Sequence, residues 1–176
     1  VHDPTRKTII QSDACRNGIG AALLQVQPDN TLRLVSAASR SLTDTEKRYA
    51  TIEQEALGIV WACEKFQDYI IGLTVNIQTD HKPLVALFSD TELSKMPARI
   101  QRFGMRMLRF SFCIEHIPGK NNVVADALSR SVAVPKVEDL TFVEEVEAFA
   151  SAALLQSASA DRLNRLKEMQ ENDGVL

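Results

Sequence analysis

The residue pattern predicts an α/β domain built on a five-stranded mixed sheet, and two observations carry that expectation. Three strand-like runs with short connections come first, the order of an antiparallel meander, and a long amphipathic stretch then separates TIIQSD, closing at Asp13, from TVNIQTD, closing at Asp80. Parallel neighbours need a long, usually helical crossover. If those two runs pair in parallel, both aspartates finish at one end of the sheet, where gathered carboxylates suit a divalent metal.

Taken in order, Lys7 to Ser12 alternates and is β-branched, and Gly18 to Val26 is a second apolar run whose small residues permit close packing. Pro28-Asp29-Asn30 makes a turn, Leu32 to Ala38 supplies a third strand, and Ser41 to Lys47 is polar and turn-like. From Thr51 to Tyr69 the spacing predicts a helix: Ile52, Ala56, Ile59, Val60, Cys63, Phe66 and Ile70 recur at three- and four-residue steps. Thr51 with Gln54 fits a capping box, and Gly72 supplies a stop. At 100° per residue Glu55 lies at the edge of the apolar stripe and Glu53 slightly farther round the other side. Trp61 falls opposite the stripe, either to meet a later segment or to face another domain.

After the strand closing at Asp80, Pro83 opens a short helix. Pro97 opens another, with Ile100, Phe103, Met107 and Phe110 on one side and Arg99, Arg102, Arg106 and Arg109 on the other. That arginine side is either a phosphate-binding stripe or a solvated face. Phe110 to His116 alternates as a fifth strand, Pro118-Gly119 turns, and Asn122 can cap a final helix that runs through Arg130 and carries Asp126. Beyond Ser131 the composition changes to a linker and two helix-like stretches without strands.

The 176 residues, 45% of them hydrophobic, suffice for a real core and one domain with an appendage. Three scattered cysteines indicate neither a disulfide framework nor a zinc site. The opening residues do not read as a basic-then-apolar signal pattern, and the apolar runs fall far short of a membrane span. The chain opens on Val1 in a turn-like VHDPTRK, as a piece of a longer polypeptide would. Residues 1–130 carry 16 basic against 14 acidic side chains, and residues 131–176 carry 4 against 9, so the front is mildly basic and the tail acidic. A mildly basic domain is compatible with nucleic acid.

Acids fall on four different elements: Asp13, Glu55, Asp80 and Asp126. Brought together they would repel one another unless cations neutralised them, and hard oxygen ligands suit Mg²⁺ or Mn²⁺. Two such ions about 4 Å apart are suited to phosphodiester hydrolysis.

The blocks QSDACRNGIGAAL, IEQEALGIVWACEKFQDYIIG, IQTDHKPL, PARIQRF and IEHIPGKNNVVADALSR, in this order, resemble the ribonuclease H domain of gypsy-type long-terminal-repeat retrotransposon polyproteins. The resemblance covers residues 1 to 131. It implies a ribonuclease H-like fold in which Asp13, Glu55, Asp80 and Asp126 are metal ligands and catalytic, with two Mg²⁺ ions that Mn²⁺ can replace. The implied reaction is endonucleolytic cutting of the RNA strand of an RNA/DNA hybrid during reverse transcription. Arg99 and Arg102 become the expected duplex contacts, and Asn17 and Gly18 lie where backbone close to the substrate would be useful, although a strand-entry turn explains them equally well. Retroviral and cellular relatives place a histidine in a loop before the last helix; PGKNN holds none, and neither His116 nor His81 is assigned a catalytic role.

Residues 132–176 are expected to form an acidic linker and helical segment leading toward an integrase, with a reverse transcriptase upstream. The expected setting is an intracellular, cytoplasmic retroelement particle with no membrane partner. The alternative is an inactive or host-captured domain of the same fold acting through protein contacts, nuclear if captured. An integrase-like strand transferase fits less well, because the helix glutamate arrives between the first and fourth strands.

Overall fold

The computed structural model describes residues 2–131, and the expectations for residues 132–176 lie outside it. Five strands form one sheet: β1 (Thr8–Ala14), β2 (Gly18–Val26), β3 (Leu32–Ser41), β4 (Thr74–Thr79) and β5 (Ser111–His116). Their order across the sheet is β3-β2-β1-β4-β5. The first three pair antiparallel, and β4 joins β1 and β5 in parallel. This is the mixed ribonuclease H-like sheet that the strand count and the resemblance imply.

The register fixes the site. Ile9 pairs with Asn76 and Gln11 with Gln78, so the ladder carried two residues further sets Asp13 level with Asp80. Both side chains share one face, because successive residues of a strand alternate. The crossover is α1 (Thr51–Lys65), followed after a break at Phe66 by the short α2 (Gln67–Ile70) and by Gly72 at φ 80°. The single helix expected to Tyr69 is therefore two.

α1 buries Ala56, Ile59, Val60 and Cys63 against Ile10, Ile19, Val75 and Ile77 of the sheet, in a core that also holds Leu84, Ile100 and Met107. The last three come from α3 (Lys82–Ser89) and α4 (Ala98–Met107). On the opposite face α5 (Val123–Arg130) packs across β1 and β2, burying Val124, Ala125 and Leu128. Burial of such side chains supplies roughly 1.5–3 kcal/mol each before the entropy of ordering is charged against it.

Two caps differ from expectation. Ala50, not Thr51, is the N-cap of α1; the Glu53 carboxylate accepts its N–H at 3.0 Å, while Gln54 Nε2 reaches back to the Glu46 and Lys47 carbonyls. Asn122 precedes α5, but its side chain turns to β1, where Nδ2 donates to the Ser12 carbonyl at 3.0 Å. Trp61 is half-buried against the core, and the Arg40 guanidinium of β3 lies 5.7 Å from its ring. All three cysteines are free thiols, and among the described residues no helix is long and apolar enough to cross a membrane.

Candidate functional site

Asp13, Glu55 and Asp80 converge at the carboxyl ends of β1 and β4. One carboxylate oxygen from each lies within 4.8 Å of the others. Two come from the parallel strands; Glu55 comes from the first turns of α1, whose N-terminal end the crossover places at the same pole. Among the described residues no basic side chain pairs with any of the three.

The electrostatics follow from burial without an ion pair, Arg130 acting on Asp13 only through its charge. Glu55 and Asp13 are each only 7% exposed. Burial, then the Asp13 and Asp80 charges, pushes the Glu55 carboxyl up to about 9 against the opposing pull of the Ala14 N–H. Asp13 is also raised, again chiefly by burial, with Asp126 and Asp80 adding and a hydrogen bond from Ser129 opposing. Three oxygen donors held together in this state form a hard-ligand set that a small divalent cation would neutralise, so the residues fit Mg²⁺ or Mn²⁺.

Helix geometry alone leaves Glu53 and Glu55 close rivals, and the structure separates them. Glu55 turns into the acid cluster. Glu53 caps Ala50 and takes the Arg99 guanidinium at 2.6 Å.

Asp126 stands apart from the expected four. It lies outside the close group, near enough to Asp13 to raise it, and its Oδ1 accepts from Arg130 Nε and its ion pair with Arg130 Nη2 closes at 2.7 Å. One turn of α5 brings the pair together, as (i, i+4) spacing does.

Two residues at this site were not singled out from sequence. Ser129, fully buried, donates its hydroxyl to Asp13 Oδ2; its Oγ also lies 2.9 Å from the Asp126 carbonyl, but its one proton is held best by the carboxylate. It gets there because Asp13 pairs across the ladder with Gly20, and α5 sits so close over Gly20 that a Cβ would meet the Ser129 nitrogen at 2.4 Å. The signal was present in the spacing, since Ser129 follows Asp126 by three and shares its side of the helix. The second is Gly119, in the 3-10 turn Gly119–Asn121: a Cβ there would stand 3.1 Å from Asp80 Oδ2, tighter than an ordinary contact, so a side chain would press on that carboxylate.

The expected nucleic-acid contacts fare differently from one another. Arg99 stacks on Tyr49 at 3.9 Å and pairs with Glu53, so its guanidinium is engaged within the fold. Arg106 holds Glu64 through Nε at 2.9 Å, and Arg109 bonds Gln67 at 3.2 Å. Arg102 is exposed and, among the described residues, its side chain bonds only the Ala98 carbonyl of its own helix. Asn17 is exposed at the β1–β2 turn, its carbonyl accepting from Leu42. Gly18 is buried, and its carbonyl accepts from the Cys15 N–H at 2.9 Å across the strand-entry turn.

Comparison with known proteins agrees with this architecture. The description "RNase H-like domain found in reverse transcriptase" matches residues 3–110, a span that includes Asp13, Glu55 and Asp80 and ends before Asp126. The chain is 36% identical over 139 residues, 79% of its length, to the retrovirus-related Pol polyprotein from transposon 412 of Drosophila melanogaster. It is 39% identical over 122 residues, 69% of its length, to that from transposon gypsy of the same organism. It spans 11% of each of those polyproteins. Among solved structures, LC11-RNase H1, isolated from compost by a metagenomic approach, shares the fold in its complex with an RNA/DNA hybrid. The TM-score is 0.53 at 18% identity, covering 69% of this chain and 93% of that one.

Proposed function

The chain belongs to the RNase H-like domains found in reverse transcriptase, and from that premise we propose that it hydrolyses the RNA strand of RNA/DNA hybrids as part of a retroelement polyprotein. The observation that carries this reading is the convergence of Asp13, Glu55 and Asp80 oxygens within 4.8 Å, with two of the acids buried and none in an ion pair among the described residues. A cluster of that kind is costly to a fold that does not use it. The hybrid-bound LC11-RNase H1 of the same fold supports the choice of substrate.

Asp13, Glu55 and Asp80 would hold two ions of the Mg²⁺ class, with Asp126 at the margin. When bound, such ions supply a nucleophilic water at neutral pH and charge stabilisation on the departing oxygen. The chain's own residues do the positioning. Ser129 fixes the Asp13 rotamer, Asn122 ties the start of α5 to β1 one residue before Asp13, and Gly119 leaves Asp80 free to turn toward the cluster. Asn17 offers an amide that can both donate to and accept from a 2′-hydroxyl, the group that distinguishes RNA from DNA, and Arg102 offers an exposed charge. We place the domain at residues 1–131, preceded by the polymerase and followed by a segment leading toward an integrase, in a cytoplasmic retroelement particle.

The test is incubation of the chain with a labelled RNA/DNA hybrid and Mg²⁺ or Mn²⁺ beside Asp80→Asn. Cleavage by the wild type and its loss in the variant are expected. A wild type inert with both metals would favour the reading as an inactive domain with a structural role, and cleavage retained by Asp80→Asn would sink the metal assignment.

A further inference from the structure

Three buried or half-buried carboxylates repel a phosphate backbone as strongly as they attract cations, so a domain that brings a duplex across them needs fixed positive charge close by. The arginines on and just after α4 supply little of it, because Arg99, Arg106 and Arg109 are engaged with Glu53, Glu64 and Gln67, which leaves Arg102 as the one exposed charge of that row without a side-chain partner among the described residues.

Positive charge is available elsewhere at the carboxylate pole. Arg16 stands in the β1–β2 turn three residues past Asp13, and Lys82 opens α3 two residues past Asp80. Lys120 follows Gly119, whose missing Cβ would touch Asp80. One cation thus comes from each loop that leaves the carboxyl end of β1, β4 or β5. All three are exposed, and none makes an ion pair or a side-chain hydrogen bond among the described residues. The loop bearing Lys120 is held firmly: Ile117 N–H donates to Thr79 O at 2.9 Å, Asn121 to Pro118 O at 2.8 Å, and Asn122 to Gly119 O at 2.9 Å.

The geometry points to Arg16, Lys82 and Lys120 as a three-point phosphate grip around the acid cluster, which takes the backbone of the nucleic-acid duplex. This rests on the proposed hybrid substrate. It moves the electrostatic hold from the helix face to the strand-end loops, and it gives the short PGKNN loop a role as the carrier of Lys120.

Lys7, Arg33 and Lys65 supply a control of equal charge. They too are exposed, with no ion pair or side-chain hydrogen bond among the described residues, but they lie before β1, at the start of β3 and at the end of α1, all at the opposite pole. Binding of a fluorescent RNA/DNA hybrid is measured over a series of KCl concentrations in EDTA, so that no cleavage intervenes. The wild type is compared with Arg16→Gln/Lys82→Gln/Lys120→Gln and with Lys7→Gln/Arg33→Gln/Lys65→Gln.

Each phosphate contact contributes about 0.9 to the log–log salt slope, so the loop triple should lose about 2.7 and bind at least about tenfold more weakly at low salt. The control triple should keep the wild-type slope, and thermal melts should show both variants folded. Equal losses in the two triples, no loss in the loop triple, or no hybrid binding by the wild type would each overturn the grip. Cleavage by the same wild-type preparation with Mg²⁺ or Mn²⁺ separates the two readings. A chain that cleaves while the loop triple keeps its slope refutes the grip alone, and a chain that binds through the loops yet cleaves with neither metal supports the grip and refutes the nuclease.

Discussion

The carboxylate pole and the outer face of α4 make opposite use of charge. At the pole, three acids are crowded together with no ion pair among the described residues, and burial with its neighbours' charges pushes the Glu55 carboxyl up to about 9. On α4 two of the three arginines are answered within the fold, Arg99 by Glu53 and Tyr49 and Arg106 by Glu64, while Arg102 is exposed. In sequence both regions look like binding sites. The difference teaches that charge left unanswered by the fold is what sets a candidate site apart, and that arginines whose partners lie on a neighbouring helix dock α4 on α1.

The largest effect should come from breaking the crowded side. Asp13→Asn removes an acid from the cluster and should lower hybrid cleavage at least about 100-fold, since metal charge stabilisation is worth several kcal/mol of barrier. Steady-state cleavage at saturating Mn²⁺ measures it. Near-wild-type turnover would show that the cluster is not catalytic.

The next effect is in stability against pH, without metal. Glu55 is raised in the folded state to about 9 from 4.5, so the folded protein holds a proton that the unfolded chain has lost. The stability it contributes is fully present below about 4.5 and is lost as pH rises toward 9, at up to about 1.4 kcal/mol per pH unit; Asp13, also raised, acts in the same direction. Glu46, lowered to about 2 by Arg40, contributes with the opposite sign, its share fading as pH falls below 4.5. Denaturant melts in EDTA should therefore weaken from pH 5 to 9, and Glu55→Gln should flatten that limb. An unchanged slope in the variant would contradict the assignment.

Ser129→Ala comes third. Losing a hydrogen bond to a buried carboxylate costs about 1–3 kcal/mol and leaves Asp13 harder to ionise, so the Mg²⁺ needed for half-maximal cleavage should rise while Ser129→Thr restores it. Equal metal requirement in all three proteins would make Ser129 merely a packing residue.

The smallest effect sharpens the other side of the comparison. Arg106→Gln should lower stability by less than about 1 kcal/mol, as partly exposed pairs do, and a double-mutant cycle with Glu64→Gln should recover the coupling. Hybrid affinity should stay unchanged. A fall in affinity with no coupling to Glu64 would restore the α4 face as a nucleic-acid surface.

Much of the fold was legible because its signals are local. Strand alternation, the three- and four-residue apolar steps of α1, and proline at the starts of α3 and α4 depend only on neighbours along the chain. The break at Phe66 and the caps of α1 and α5 were not, because Glu53, Gln54 and Asn122 each choose a partner from several within reach.

By itself the sequence determined that Asp13 and Asp80 close two strands separated by a crossover helix, and that Glu55 lies at the edge of its apolar stripe. Only the tertiary structure decided which acids meet. The β1–β4 register set Asp13 level with Asp80, the packing of α1 turned Glu55 rather than Glu53 into the cluster, and the approach of α5 over Gly20 brought Ser129 to Asp13 while Arg130 claimed Asp126. The physical reason is range. Propensity and periodicity act over a few residues, whereas pairing of charges is settled by distances that exist only once sheet and helices have packed.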